Sequence, residues 1–206
     1  MAKTTEKSDK ILLAAMHEAA THGWRRLDLA AIAAAAKLSL ADLRAAYPSK
    51  AHILNGINDY ADRAMLAGGA KKTKDESPRD RLFDAVMRRL DALAPFKDGI
   101  AVVVRDGGGE NPMETLCGAA RLMRSMAWTL EAAGIGSGGV AGLLRTKGLA
   151  AIYASVVFVW LRDNSEDLGK TMAALDRRLA TAERFAAWRL PRRARPAADA
   201  ERDAPA

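Results

Sequence analysis

The chain has 206 residues, half of them apolar, and a formal net charge of +7, enough sequence to bury a core in one or two compact domains. Lysine and arginine outnumber aspartate and glutamate by 8 to 5 through Leu54 and by 6 to 3 from Arg184 onward, against 18 to 17 in between, so a polyanion, nucleic acid or anionic lipid, would meet the two ends. The single cysteine, Cys117, excludes an intramolecular disulfide framework and suits a reducing cytosol.

Period-two runs of branched residues are nearly absent and apolar residues recur at helical spacing, so the sequence predicts an all-α fold. Asp9 to His22 carries Leu12, Ala15, Met16 and Ala19 on one side, with Gly23 as C-cap and Trp24 sealing the next junction. Asp28 is placed to cap a short helix whose inner side is Ile32, Ala33 and Ala36. After a turn at Lys37-Leu38, Ser39 caps a second short helix, Leu40 to Ala46, and Asp42 completes a capping box. Leu43 and Tyr47 face inward and Pro48 ends that helix. Two short helices about a tight turn form the helix-turn-helix arrangement of small DNA-binding domains.

Ser49-Lys50 opens a longer helix through Ile53, Leu54, Ile57 and Tyr60 toward Leu66, and Ala67 to Pro78 breaks it with two glycines, a lysine cluster and a proline. Arg79 to Leu93 shows a wide apolar stripe: Leu82, Phe83, Val86, Met87, Leu90 and Leu93. Pro95-Phe96 closes that helix, Ile100 to Val104 lies in another, Arg105 to Pro112 forms a loop, and Met113 to Ala133 is the next long helix.

Gly134 to Gly139 satisfies the pattern GxGxxG, but a helix precedes it where a nucleotide site needs a strand, so it reads as a helix-stopping loop. Gly148 to Leu161 is apolar nearly all round, which predicts burial on most sides, and is too short to span a bilayer by itself. Asp163 to Ser165 then caps the last helix, with Glu166 and Asp167 in its first turn and Leu168, Met172, Leu175, Leu179 and Ala182 in line. Phe185, Trp188 and Leu190 with Arg189, Arg192, Arg193 and Arg195 lead into an Ala/Pro/Asp tail that reads as a frayed helix end or an anionic-membrane contact.

Met1 to Lys10 is polar and shows no signal peptide, so the expected location is cytoplasmic. No enzyme constellation emerges. His17 and His22 lie five apart, off the spacing of a helical metal pair, and Cys117 has no evident partner, so the expectation is a non-enzyme without cofactor or metal.

Ile32-Ala33, Ala36, Leu38-Ser39, Leu43, Tyr47-Pro48-Ser49-Lys50 and Ile53-Leu54, after a helix ending His22-Gly23-Trp24, resemble the N-terminal domain of the TetR family. The resemblance covers roughly the first quarter of the chain. It implies a DNA-binding head joined by its fourth helix to a larger helical domain that binds a small molecule and dimerises. Where the family usually carries a capping Thr, a turn Gly, and the Tyr and His or Arg of the recognition helix, this chain has Asp28, Lys37, Arg44 and Ala46. Candidate DNA contacts are Lys37, Ser39, Leu40, Arg44, Tyr47 and Lys50, with Arg44 suited to guanine or phosphate and Leu40 to a thymine methyl. Asp28 and Asp42 would repel the DNA backbone unless engaged as caps.

Arg145 to Tyr153, Trp160 to Asp167, Thr171, and Leu175-Asp-Arg-Arg-Leu179 resemble the C-terminal domain of the Coq-nine family, which shares the TetR fold and binds isoprenoid or other lipids in ubiquinone synthesis. Two functions follow as expectations: a dimeric regulator responding to a hydrophobic effector, or a lipid-binding accessory protein that has lost DNA binding. Candidate cavity residues in either case are Phe83, Met87, Met123, Met126, Tyr153, Val157 and Trp160, large apolar groups on inward-facing helices. The expected organisation is a helix-turn-helix domain over residues 1–54, a ligand-binding and dimerisation domain over 55–188, and a basic tail over 189–206.

Overall fold

The structure, a computed structural model, describes residues 2–68, 76–107 and 112–189. It is all-α: α1 (Ala2–His22), α2 (Leu29–Ala35), α3 (Leu40–Ala46), α4 (Lys50–Ala67), α5 (Pro78–Leu93), a 3-10 turn (Ala94–Phe96), α6 (Lys97–Arg105), α7 (Pro112–Ala132), α8 (Gly139–Trp160) and α9 (Gly169–Arg189). No strand occurs among the described residues. Helices α1 to α3 form a small head with α6 packed on α1, α4 leads out of it, α5 and α7 pack on α4, and α8 and α9 pack on each other and in turn on α7 and α5 to complete a larger body. One apolar core runs through both parts, from Ile11, Trp24 and Leu43 in the head to Val86, Met126 and Trp160 in the body.

Local chemistry accounts for the head. Gly23, at φ +86°, ends α1 in the left-handed region where a side chain would be strained. The Asp28 carboxylate accepts from the Ala31 amide at 2.7 Å and starts α2. Ser39 Oγ accepts from the Asp42 amide at 3.1 Å and donates to the Asp42 carboxylate at 2.7 Å, so the box at α3 closes side chain to side chain. The seven-residue α3 buries only Leu43, and that contact sets it on the core. Helix α1 starts seven residues before the expected Asp9, and Lys7 on the added turns pairs with Asp42 at 3.2 Å, tying α1 to α3.

Three expectations change in the body. Helix α8 begins at Gly139, so the apolar run from Gly148 is its second half, and α8 is the one helix among the described residues long and apolar enough to cross a membrane. It is not buried on most sides: Thr146, Leu149, Tyr153, Val156 and Trp160 face the core, while Val140, Leu144, Gly148, Ala151, Ala154 and Phe158 are exposed. The cap of α9 differs as well, because α9 starts at Gly169 and residues Glu166 and Asp167 precede it. The buried Asp163 carboxylate reaches across the turn to accept from the Thr171 amide at 2.8 Å and hydroxyl at 2.7 Å, and from the Ser165 hydroxyl at 2.5 Å. The segment 134–138 is a loop between α7 and α8, with the Ser137 amide and hydroxyl on Glu131 at 2.7 Å. Residues 69–75, with Lys71, Lys72 and Lys74, the glycines of 108–109, and the basic tail from Leu190 lie outside the described residues.

The Ser165 and Thr171 donors hold the Asp163 carboxyl far below its ordinary value of 3.8. A carboxylate whose pKa is depressed by folding contributes stability in full above the unfolded value and loses it as pH falls through the lower, folded one. Asp163→Asn is therefore expected to lower Tm at pH 7, with the gap to wild type narrowing as pH drops below about 4, as thermal melts across pH will show.

Candidate functional site

On the head, α3 presents Leu40, Ala41, Arg44 and Ala45 to solvent, and Lys37 stands exposed in the turn before it. Lys37 sits at φ +55°, a conformation that costs a lysine more than a glycine. Asp42 is ionised more readily than usual because the Ser39 hydroxyl and then Lys7 stabilise its charged form. Both head acids that would face a DNA backbone are thus engaged locally, Asp28 as the α2 cap and Asp42 by Ser39 and Lys7.

Tyr47 is half-buried, its ring against Gly56 of α4 so closely that a Cβ there would lie 2.5 Å from the ring. Lys50 is turned toward the head's own backbone: Nζ donates to the carbonyls of Trp24 and Leu27 at 2.9 Å and of Arg25 at 3.4 Å, 5.4 Å from the Trp24 ring centroid. The same loop is gripped from α6, where Asp106 accepts from the Trp24 amide at 3.1 Å through its carboxylate and from Arg25 Nε at 2.9 Å through its carbonyl. Gly99 brings α6 so near α1 that a Cβ would lie 2.5 Å from the Met16 carbonyl oxygen. The head therefore meets the body along two helices, α4 and α6, with the 3-10 turn before α6 also against α1.

Between these helices lies a cavity of about 280 Å³ walled by α4 (Ala51, Leu54, Asn55, Ile57, Asn58), α5 and α6 (Leu93, Ile100, Val103), α7 (Glu114, Gly118, Arg121) and α8 (Tyr153, Val157, Trp160). It brings together Tyr153, Val157 and Trp160 of the seven candidate lining residues. Met126 is fully buried in the core, Phe83, Met87 and Met123 are half-buried against it, and none of these four borders the cavity. Beyond Asn55, Asn58 and Arg121, a polar cleft of about 630 Å³ opens among Tyr47, His52, Asp59, Arg63, Arg124 and Trp128. Those three residues border both spaces and form the wall between them.

Sequence reasoning missed what holds that wall. Arg89 of α5 is fully buried. Its guanidinium pairs with the Asp62 carboxylate, donates to Asn58 Oδ1 at 2.9 Å and to the Tyr153 hydroxyl at 3.1 Å, and stacks 5.3 Å from the Tyr153 ring. Ser125 of α7 donates to the same Asp62 oxygen at 2.5 Å, and Arg121 donates to Asn55 Oδ1. Asn55, Asn58 and Asp62 fall at i, i+3 and i+7, so they line one face of α4, and arginines from α5 and α7 grip all three. That stripe of amides and acid along one face of α4 was the available signal. Among the described residues no group of three or more metal-ligating side chains comes together.

Removing one partner of a buried ion pair strands the other charge, so Arg89→Met is expected to cost about 3–5 kcal/mol by urea unfolding, with part recovered in Arg89→Met/Asp62→Leu. Lys37→Gly is expected to add about 1 kcal/mol by relieving the left-handed lysine, measured the same way.

A family model described as COQ9 matches residues 145–186, the α8 and α9 segment. No curated protein matches the chain. Among solved structures, the chain is similar to a TetR transcriptional regulator from Nitrosomonas europaea, with 28% identity over 88% of this chain and 98% of that one and a TM-score of 0.69. It is similar in fold to a TetR transcriptional regulator from a Rhodococcus species (19% identity, 87% and 96% covered, TM-score 0.61) and to the TetR family regulator PfmR from Thermus thermophilus (20%, 83% and 94%, TM-score 0.52). The head, the linking helix and the helical body together are the TetR-type fold.

Proposed function

We propose that this chain is a dimeric TetR-type transcriptional regulator that binds DNA through α3 and releases or engages it when a small, largely apolar molecule fills the cavity against α4. The observation that carries this reading is that one helix does both jobs: α4 begins under the DNA-facing head and forms a wall of the cavity. Lys37, Ser39, Leu40 and Arg44 are the exposed members of the candidate DNA-contacting set, and Arg44 is the side chain fitted to a base edge or a phosphate. Tyr47 and Lys50 act by setting α3 and the Trp24 loop in place.

The exposed α8 stripe supports the dimer. Val140, Leu144 and Phe158 flank the small residues Gly148, Ala151 and Ala154, a profile that lets a second helix approach closely. Two copies joined there carry two heads, and the spacing of the heads sets whether both α3 helices reach successive turns of a duplex.

The COQ9 match favours a second reading, a lipid-binding accessory protein without DNA binding. Its support is a separate, mainly apolar groove of about 620 Å³ partly lined by the matched segment through Arg145, Leu149, Ile152 and Leu179, with Leu144 just before it and Arg79 and Leu82 of α5 on another side.

The regulator reading predicts retardation of a duplex from the gene's own upstream region, falling steeply with salt. Arg44→Ala should weaken that complex by about 1–3 kcal/mol, and Phe158→Glu should give monomers by light scattering and abolish retardation. Lipid identified by mass spectrometry in fresh protein, with no retardation at low salt, would instead favour the second reading.

A further inference from the structure

Gly118 stands inside α7 (Pro112–Ala132), where glycine is less favourable than alanine because it has more backbone freedom to lose. Elsewhere in the helices the reason for a glycine is visible: a Cβ at Gly56 would strike Tyr47, at Gly99 Met16, and at Gly142 Ser137, all within 2.5 Å. Gly148 is open but lies on the α8 face proposed above for a second copy. At Gly118 an added Cβ would meet nothing within 4 Å, so packing does not require it. It does border the 280 Å³ cavity, in line with Glu114 and Arg121 on the same face of α7, and a side chain there would fill open space at the cavity wall.

We infer that Gly118 is the portal of the chamber and that the occupant is a compact amphiphile, its apolar body against Tyr153, Val157 and Trp160 and an oxygen-acceptor head at Arg121. This rests on the chamber being a ligand site. The polarity of the walls carries the rest. The walls from α5, α6 and α8 are hydrocarbon and aromatic, whereas Asn55, Asn58 and Arg121 stand as a wall between the chamber and the polar cleft. A molecule entering past Gly118 keeps its polar end at that wall and buries its apolar end, so only the head needs partners.

Arg121 supplies several donors and no acceptor, and its present partner is a neutral amide oxygen on Asn55. Having five donors, the guanidinium can take a carboxylate or carbonyl of the occupant beside Asn55, and a carboxylate gains a charge-assisted bond. Glu114 borders the same cavity seven residues away, about 10 Å along the helix, and would draw a cationic head instead. The volume lies at the lower edge of small-molecule sites, roughly 300–1,000 Å³, which fits a short chain or single ring rather than a long polyprenyl tail.

The test titrates full-length protein with octanoate, octanol and octylamine, followed by calorimetry and stopped-flow tryptophan fluorescence. Octanoate is expected to bind most tightly and octylamine least. Arg121→Gln should weaken octanoate about tenfold, the loss of one charge-assisted bond, and leave octanol unchanged. Gly118→Leu, which adds a good helix former into open space and should fold, is expected to slow association of octanoate and octanol alike, while Gly118→Ala retains binding. Association at the wild-type rate in Gly118→Leu overturns the portal. Preference for octylamine, or octanoate binding indifferent to Arg121→Gln, overturns the head-group assignment. Saturable binding of none of the three overturns the chamber itself as a ligand site.

Discussion

A guanidinium with no solvent exposure has to be satisfied inside the protein, and the way Arg89 is satisfied fixes the rest of the molecule. Taking such a charge out of water costs several kcal/mol unless an acid and further acceptors replace the water. Two of its three partners, Asp62 and Asn58, are on α4, and the third is the Tyr153 hydroxyl on α8. Rotating α4 by one residue would turn Asn58 and Asp62 away and leave the charge unmatched. The body therefore holds α4 in one register. Because Ser49 caps α4 and Lys50 fastens the Trp24 loop, the head inherits that register.

The chamber lies against the same residues. Tyr153 both borders it and accepts from Arg89, and Arg121 both borders it and holds Asn55. In the proposed reading, an occupant that competes for either side chain bears directly on the contacts that position α4. Such a molecule shifts the head only in so far as it binds one arrangement of α4 better than another. Helix α6 offers a second connection, with Ile100 and Val103 on the chamber and Asp106 on the loop between α1 and α2.

The head was legible because its signals are local. Gly23, Asp28 and Ser39 act within three or four residues of themselves, and each does so in the structure. Asp163 was recognisable as a cap, but its reach to Thr171 crosses a turn in which Leu168 takes φ +51°, and no propensity marks that in a leucine. The body was harder to read for a different reason. Arg89 falls among Val86, Leu90 and Leu93, where the apolar stripe hid it, and its partners lie 27, 31 and 64 residues away. The chamber likewise draws on five helices, so choosing large apolar residues by helix face found the α8 wall and overlooked the asparagines of α4 and Gly118 of α7.

The central claim is that filling the chamber moves the head through α4. Its most direct measurement uses the lone, exposed cysteine to advantage: Cys117→Ser clears the background, and Ala41→Cys places a spin label on the exposed face of α3. Pulsed electron paramagnetic resonance then reads the distance between the two labels of a dimer, with the chamber empty and with it filled by a ligand shown calorimetrically to bind there. The account predicts a shift in that distance on filling, abolished in Arg89→Met if that variant remains folded. A distance unchanged by a bound ligand would contradict it.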